Sequence, residues 1–122
     1  MAAPTLFALP IDPADGFPQA FRLSLGGRTY QFRLYASVSE EVLEAAAGDL
    51  LELPAPGAYL VLRVDREEPA GLAPILRRKL VPGVTYRAAE LALTFPTMVL
   101  DPRNLNGAGA FGSRVTGGVA LR

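Results

Sequence analysis

The sequence contains no cysteine and no histidine. Without cysteine, this chain has no disulfide framework, no thiol nucleophile and no cysteine-ligated zinc. Without histidine, it has neither the side chain that ordinarily titrates near neutral pH nor the base of a serine–histidine–acid triad. These absences exclude most of the familiar chemistry of small catalytic and metal-binding domains.

Long apolar runs are also absent, since no segment reaches 18 consecutive apolar residues, and we therefore expect no membrane span. The first ten residues have no basic region ahead of their apolar stretch, which ends at Pro10. This pattern is not that of a secretion signal, so we expect synthesis in a cytoplasm.

The charges balance overall, with 12 basic and 12 acidic residues, but they are unevenly distributed. Residues 1–61 hold three Arg and seven acids, a net charge of −4, and residues 62–122 hold nine basic residues and five acids, a net charge of +4. A neutral chain lacks the sustained positive field that nucleic acid requires, so no nucleic-acid partner is expected. Opposite halves favour self-association or an oppositely charged neighbour; the alternative is two surfaces that merely differ.

A chain of 122 residues, half of them hydrophobic, is the size of one domain with a sizeable core. Its 12 Gly and 11 Pro divide it into short segments, which is typical of β-rich domains. We predict one mainly β domain over residues 1–122, a small β-sandwich or barrel-like fold with one short helix. It comprises an N-terminal arm (1–18), a core (19–100) and an extended, Gly-rich C-terminal segment (101–122).

The clearest local pattern is a hairpin over residues 19–35. Apolar and polar residues alternate on both sides of Gly26-Gly27, which supply the positive φ angles of a tight turn. Its apolar face belongs to the core, and its arginine-bearing face meets solvent or a partner.

Residues 39–47 predict the short helix. Ser37 and Glu40 have the spacing of a capping box, and Gly48 suits the left-handed C-cap. Its expected buried positions are Val42, Leu43 and Ala46.

Further segments follow from β-forming residues and turn signals. Residues 5–10 predict an edge strand or an arm, packed on a neighbour or on its own sheet. Residues 58–64 and 115–121 predict strands, and 65–71 a polar turn. Residues 84–95 carry both helical and strand features, and we favour a strand with a break. The basic triplet at 77–79 suits either a protected strand edge or an interface.

Each group of residues that could carry catalysis lacks a partner or a structural context that the chemistry needs. Residues 107–112 match G-x-G-x-x-G, but too few residues follow for a dinucleotide-binding unit, so a loop is expected. Glu40-Glu41 and Glu67-Glu68 are interpreted as solvated acids. Asp12 and Asp15 lack further ligands, and Ser113 and Thr116 lack an activating histidine. We predict that the protein is not an enzyme and binds neither cofactor nor metal.

The order of features resembles the small phage baseplate plug proteins, which are structural parts of contractile tails. The resemblance covers residues 5–35, through Leu25-Gly-Gly-Arg-Thr-Tyr30, and residues 104–121, through Phe111-Gly-Ser-Arg-Val115. It implies a non-catalytic virion protein, made in the host cytoplasm, whose partners are other tail or baseplate proteins or copies of itself. The alternatives are another head or tail connector and a bacterial β-domain that binds a small ligand or peptide.

Contact residues for such an assembly are expected in the arm, the basic strand and the C-terminal segment. Within residues 103–114, Phe111 docks either into a partner's apolar recess or onto the chain's own core. The predicted interface residues are Phe7, Arg77, Arg78, Lys79, Arg103, Asn104, Asn106, Phe111 and Arg114.

Overall fold

The computed structural model describes residues 6–46, 50–101 and 112–122, and within these ranges the chain is mainly β. The strands are β1 (Phe7–Ala8), β2 (Gln19–Leu25), β3 (Arg28–Val38), β4 (Leu51–Glu52), β5 (Ala58–Glu68), β6 (Gly71–Lys79), β7 (Thr85–Ala88), β8 (Leu91–Leu100) and β9 (Arg114–Leu121). A 3₁₀ turn covers Pro13–Asp15, and helix α1 covers Glu40–Ala46.

The strands form two antiparallel sheets. The first has the order β1-β9-β8-β4, and β7 pairs with β8 beside β4. The second has the order β2-β3-β5-β6, so that β2 and β6 are its edges. One hydrophobic core joins the sheets, with Phe32, Leu34 and Val64 from the second and Leu93 and Phe95 from the first, all fully buried. The predicted mainly β fold is confirmed, as a two-sheet sandwich.

The hairpin predicted over residues 19–35 is present as β2 and β3. Gly26 and Gly27 form its two-residue turn with φ angles of 57° and 78°, the left-handed values that glycine adopts without a steric penalty. Phe21 and Phe32 pair across the strands and stack with their ring centres 5.1 Å apart. β3 runs three residues further than predicted, to Val38.

The predicted cap of the helix is wrong. Ser37 lies in β3 opposite Tyr59, and the cap is Ser39, whose hydroxyl accepts a hydrogen bond from the Val42 N–H at 3.3 Å. Both serines precede acidic residues, and the ladder between β3 and β5 holds Ser37 in the strand. Of the predicted buried positions, Val42 packs against the core and Leu43 is exposed; Gly48 and the side chain of Ala46 lie outside the described residues.

The polar turn predicted over 65–71 is present, but it is much shorter than predicted. β5 continues to Glu68, and only Pro69 and Ala70 separate it from β6. The polar residues remain in the strand because they have partners elsewhere in the fold: Arg66 contacts Glu90, and Glu67 contacts Arg22.

Residues 84–95 contain the predicted break. The turn Ala89-Glu90 separates β7 from β8, and Ala89 takes a φ of 51°. β8 pairs with β9, which confirms the predicted last strand, and β1 pairs with β9 on its other side. The N-terminal segment thus joins its own sheet. In the described ranges, no helix is long and apolar enough to cross a membrane.

Candidate interaction surface

A row of three arginines crosses the outer face of the second sheet. Arg33 of β3 pairs with Arg63 of β5, and Arg63 pairs with Arg77 of β6. Residues paired in this way have Cβ atoms about 5 Å apart on one face of the sheet. Alternation places the row outside, because Leu34, Leu62 and Val64, next to Arg33 and Arg63 in the chain, are buried in the core. Arg33, Arg63 and Arg77 are called the arginine row below.

The central arginine is positioned by a buried carboxylate. Asp65 is fully buried, and its carboxylate lies 3.1 Å from Nε of Arg63, whose side chain is 40% exposed. This contact uses Nε, and in the described part of the chain the two terminal nitrogens of the Arg63 guanidinium make no hydrogen bond and are available as donors. Within the described residues, Oδ1 of Asp65 accepts a hydrogen bond from Nε of Arg63 at 3.3 Å, and Oδ2 accepts none. The arrangement fixes Arg63 without surrounding it with acids.

The flanking arginines differ from Arg63. Among the described residues, neither Arg33 nor Arg77 forms an ion pair. Like charges placed directly opposite each other destabilise a sheet. The arginine row therefore presents positive charge that the described part of the fold only partly neutralises.

A mixed row of Tyr35, Val61 and Lys79 lies beside the arginine row, on the side towards α1. Tyr35 pairs with Val61, and Val61 pairs with Lys79, whose Nζ lies 4.9 Å from the centre of the Tyr59 ring. A cavity of about 210 Å³ opens between the rows, lined by Tyr35, Val61, Arg63 and Arg77. The surface thus offers cationic groups next to an apolar depression.

On the other side of the arginine row the charges are paired. Arg22 binds Glu67 through Nε at 2.7 Å and Nη2 at 2.8 Å, and Gln31 donates to the same carboxylate at 3.3 Å. The hydrogen bonds from Arg22 lower the pKa of Glu67. This part of the face is neutral, so among the described residues the unpaired positive charge of the face lies on Arg33 of β3 and on β6.

A second polar cluster lies between the sheets, around Glu90. Its carboxylate accepts hydrogen bonds from Tyr30, Arg28 and Arg66, the last at 2.7 and 2.8 Å. The bond from Tyr30 is the largest cause that lowers the pKa of Glu90 to about 2, and burial is the largest cause that raises the pKa of Tyr30 to about 12. The three donors come from β3 and β5, whereas Glu90 lies in the turn between β7 and β8, so the cluster links the two sheets.

The predicted interface residues lie on different surfaces of the fold. Arg77 and Lys79 lie together on the outer face, but Arg78 pairs with the buried Leu62 and so belongs to the opposite side of β6. Phe7 is 54% exposed at the edge strand β1, and Arg114 lies in the other sheet beside a cavity of about 550 Å³. The remaining predicted contacts lie outside the described residues: Arg103, Asn104, Asn106 and Phe111.

Two of the weak catalytic candidates, Asp12 and Ser113, have structural roles. Asp12 caps the 3₁₀ turn by accepting from the Ala14 N–H, and Ser113 is buried and accepts from the Asp101 N–H at 2.8 Å. Within the described ranges, no three acidic side chains are grouped as metal ligands would be.

The arginine row is not apparent as a unit in the sequence. The outward position of Arg33 was readable from the hairpin pattern, but its alignment with Arg63 and Arg77 depends on the pairing of β3 with β5 and of β5 with β6. Comparison with family models, curated proteins and solved structures gave no match.

Proposed function

We propose that this protein is a non-catalytic structural component of a phage or phage-like contractile tail, at the baseplate or tail end, and that it acts through protein contacts made by the arginine row. The observation that carries the proposal is the alignment of three arginines on one face, with two of them unpaired among the described residues.

Like charges directly opposite each other weaken strand pairing. An assembly offsets this cost when a neighbour supplies carboxylates, because arginine binds them through two parallel hydrogen bonds. The arginine row therefore suits a surface that is covered in an assembled particle.

The assignment to a tail is supported by the sequence resemblance. Its more extensive part, residues 5–35, contains the β2–β3 hairpin and hence Arg33. A small two-sheet domain with a charged outer face fits the role of filling or linking the tail end.

The test is deletion of the gene from the phage or bacterium that encodes it, followed by electron microscopy of purified particles. We expect intact sheathed tails to be lost and to be restored by the parent gene. A variant with Arg33→Glu and Arg77→Glu should express as folded protein and fail to restore them. Arg87→Glu, a charge reversal at an exposed position of the other sheet, should restore them fully.

Normal particle numbers and normal infectivity after deletion would refute the tail assignment. A second candidate, a β-domain that binds an acidic peptide or small ligand, is favoured by the cavities beside the row; one of about 420 Å³ is lined by Arg63, Ile75 and Arg77 among others. Intact particles together with saturable binding of a glutamate-rich peptide would support that candidate.

A further inference from the structure

Helix α1 presents an acidic outer face. Val42 packs inward against the core, and the helical angle of 100° per residue places Glu40 and Glu44 on the opposite side, with Glu41 and Leu43 flanking them. Glu40, Glu41, Leu43 and Glu44 are all exposed. In the described part of the chain, none of the three acids forms an ion pair.

The spacing of these acids matches that of the arginine row. Helix residues four apart, such as Glu40 and Glu44, have Cβ atoms about 5–6 Å apart. Neighbouring strands lie about 4.8 Å apart. A helix laid across the strands would therefore bring Glu40 and Glu44 opposite two adjacent arginines.

The apolar parts correspond as well. Leu43 is 36% exposed and neighbours Glu40 on the helix surface. The 210 Å³ cavity beside the arginines is lined on its apolar side by Tyr35 and Val61. With the acids on the arginine row, Leu43 is in a position to fill this cavity.

The helix does not reach the row of its own chain. α1 follows the end of β3, where Val38 pairs with Ala58, and Val42 is held next to Gly57. Arg63 lies five residues along β5 from Ala58, about 17 Å at the rise of an extended strand. The two complementary surfaces are therefore separate on one molecule.

We propose that the acidic face of α1 in one copy of this chain binds the arginine row of a second copy. The contact joins two different surfaces, so repetition gives a ring when the rotation closes and an open fibre when it does not. A second copy fits better than nucleic acid, because the row is short and the chain has no net charge. The inference rests on the part of the proposed function that assigns the arginine row to protein contacts, and it does not require the tail.

The test is sedimentation velocity of the full chain over a range of concentrations. We expect concentration-dependent association at about 0.01 M salt that is largely lost at about 1 M, because the contact is electrostatic. Arg77→Glu alone, or Glu44→Arg alone, should weaken association by about tenfold or more, since each opposes like charges. The double variant should recover association, because Glu44 and Arg77, which this contact places opposite each other, then carry exchanged charges.

The matched controls are Arg87→Glu and Glu52→Arg, exposed positions of the other sheet, which should associate as the parent does. Circular dichroism verifies that each variant is folded. A monomeric parent at every concentration and salt would overturn the inference, as would a double variant no better than the singles. A monomeric parent that binds duplex DNA or polyglutamate would assign the row to that partner instead.

Self-association and the tail assignment can fail independently of each other. A protein that associates in solution but is absent from tails retains this inference and loses the tail assignment. A protein that is found in tails but never associates with itself retains the tail assignment and loses this inference.

Discussion

Glu90 links the two sheets through one carboxylate. Its side chain is 25% exposed, and it receives Arg66 at 2.7 Å and Arg28 at 3.1 Å in addition to the Tyr30 hydroxyl. Hydrogen bonds to charged groups stabilise more than neutral ones, and partial burial reduces screening by water. We therefore expect Glu90 to contribute more than an ordinary surface acid.

Glu90→Gln should lower the free energy of unfolding by about 1–2 kcal/mol, because the amide keeps the shape but loses the charge that Arg66, Arg28 and Tyr30 recognise. Urea denaturation measures this change. Glu52→Gln, an exposed acid of β4, is the control and should change stability by less than about 0.5 kcal/mol. Equal effects of the two substitutions would contradict the role given to Glu90.

The same residue predicts a pH dependence. The pKa of Glu90 falls from an ordinary 4.5 to about 2 in the folded protein. A depressed carboxyl pKa stabilises the fold above the unfolded pKa, and that stabilisation is lost as the pH falls from about 4.5 towards 2. Over this range the parent should lose more stability than Glu90→Gln in urea titrations at successive pH values. Parallel curves would show that Glu90 is not the group responsible.

At the scale of elements, α1 depends on its first residues. A helix of seven residues is too short to be stable by propensity alone. It is held by Val42 against the core and by the Ser39 cap, and the Ser39 N–H also donates a hydrogen bond to the Gly57 carbonyl at 2.8 Å. Loss of the cap should therefore loosen the acidic face as well.

Ser39→Ala should lower the unfolding free energy by about 1 kcal/mol, because the Val42 N–H loses its acceptor. Ser37→Ala is the matched control, two residues earlier and in β3, and should change stability by less than about 0.5 kcal/mol. Thermal denaturation followed by circular dichroism compares the two variants. A larger decrease in stability for Ser37→Ala would show that Ser37 is the cap, as first expected from the sequence.

The edge strand β6 shows how this fold protects an open edge. It contains Pro74, which donates no hydrogen bond, and the pairing with β5 shifts register between Val64 and Asp65. Prolines, irregular pairing and positive charges all discourage another strand from adding to an edge. The triplet at 77–79 therefore serves two purposes: its position protects the edge, and Arg77 and Lys79 also face outward.

For the whole molecule, both sheets depend on one core. β3 is paired on both sides and carries Tyr30, Phe32 and Leu34, all fully buried, whereas β1 and β4 are two-residue strands at the margins. A shared core makes partial unfolding costly, since either sheet alone would expose its apolar face to water.

We expect a single unfolding transition that coincides by circular dichroism and tyrosine fluorescence. Amide hydrogen exchange should be slowest in β3 and β5, at the free energy of global unfolding, and fast in β1 and β4. Two separate transitions, or protection in β3 no greater than in β1, would show that the sheets unfold independently.

The sequence by itself determined the local elements. The alternation around Gly26-Gly27 specifies the hairpin, because the period of two and the positive φ angles of the turn are properties of neighbouring residues. The last strand and the break before β8 were readable for the same reason. The identity of the helix cap and the length of β5 were not, because pairing with β3 and contacts with Arg22 and Glu90 decide them.

Tertiary structure alone decided the candidate surface. Arg33, Arg63 and Arg77 are separated by many residues, and a shift of one residue in either pairing would turn an arginine towards the core. The register that aligns them is set by which apolar residues of β3, β5 and β6 meet in that core. The same packing separates Arg78 from Arg77 and brings Glu90 to Tyr30. These contacts arise between distant parts of the chain, and local sequence patterns do not encode them.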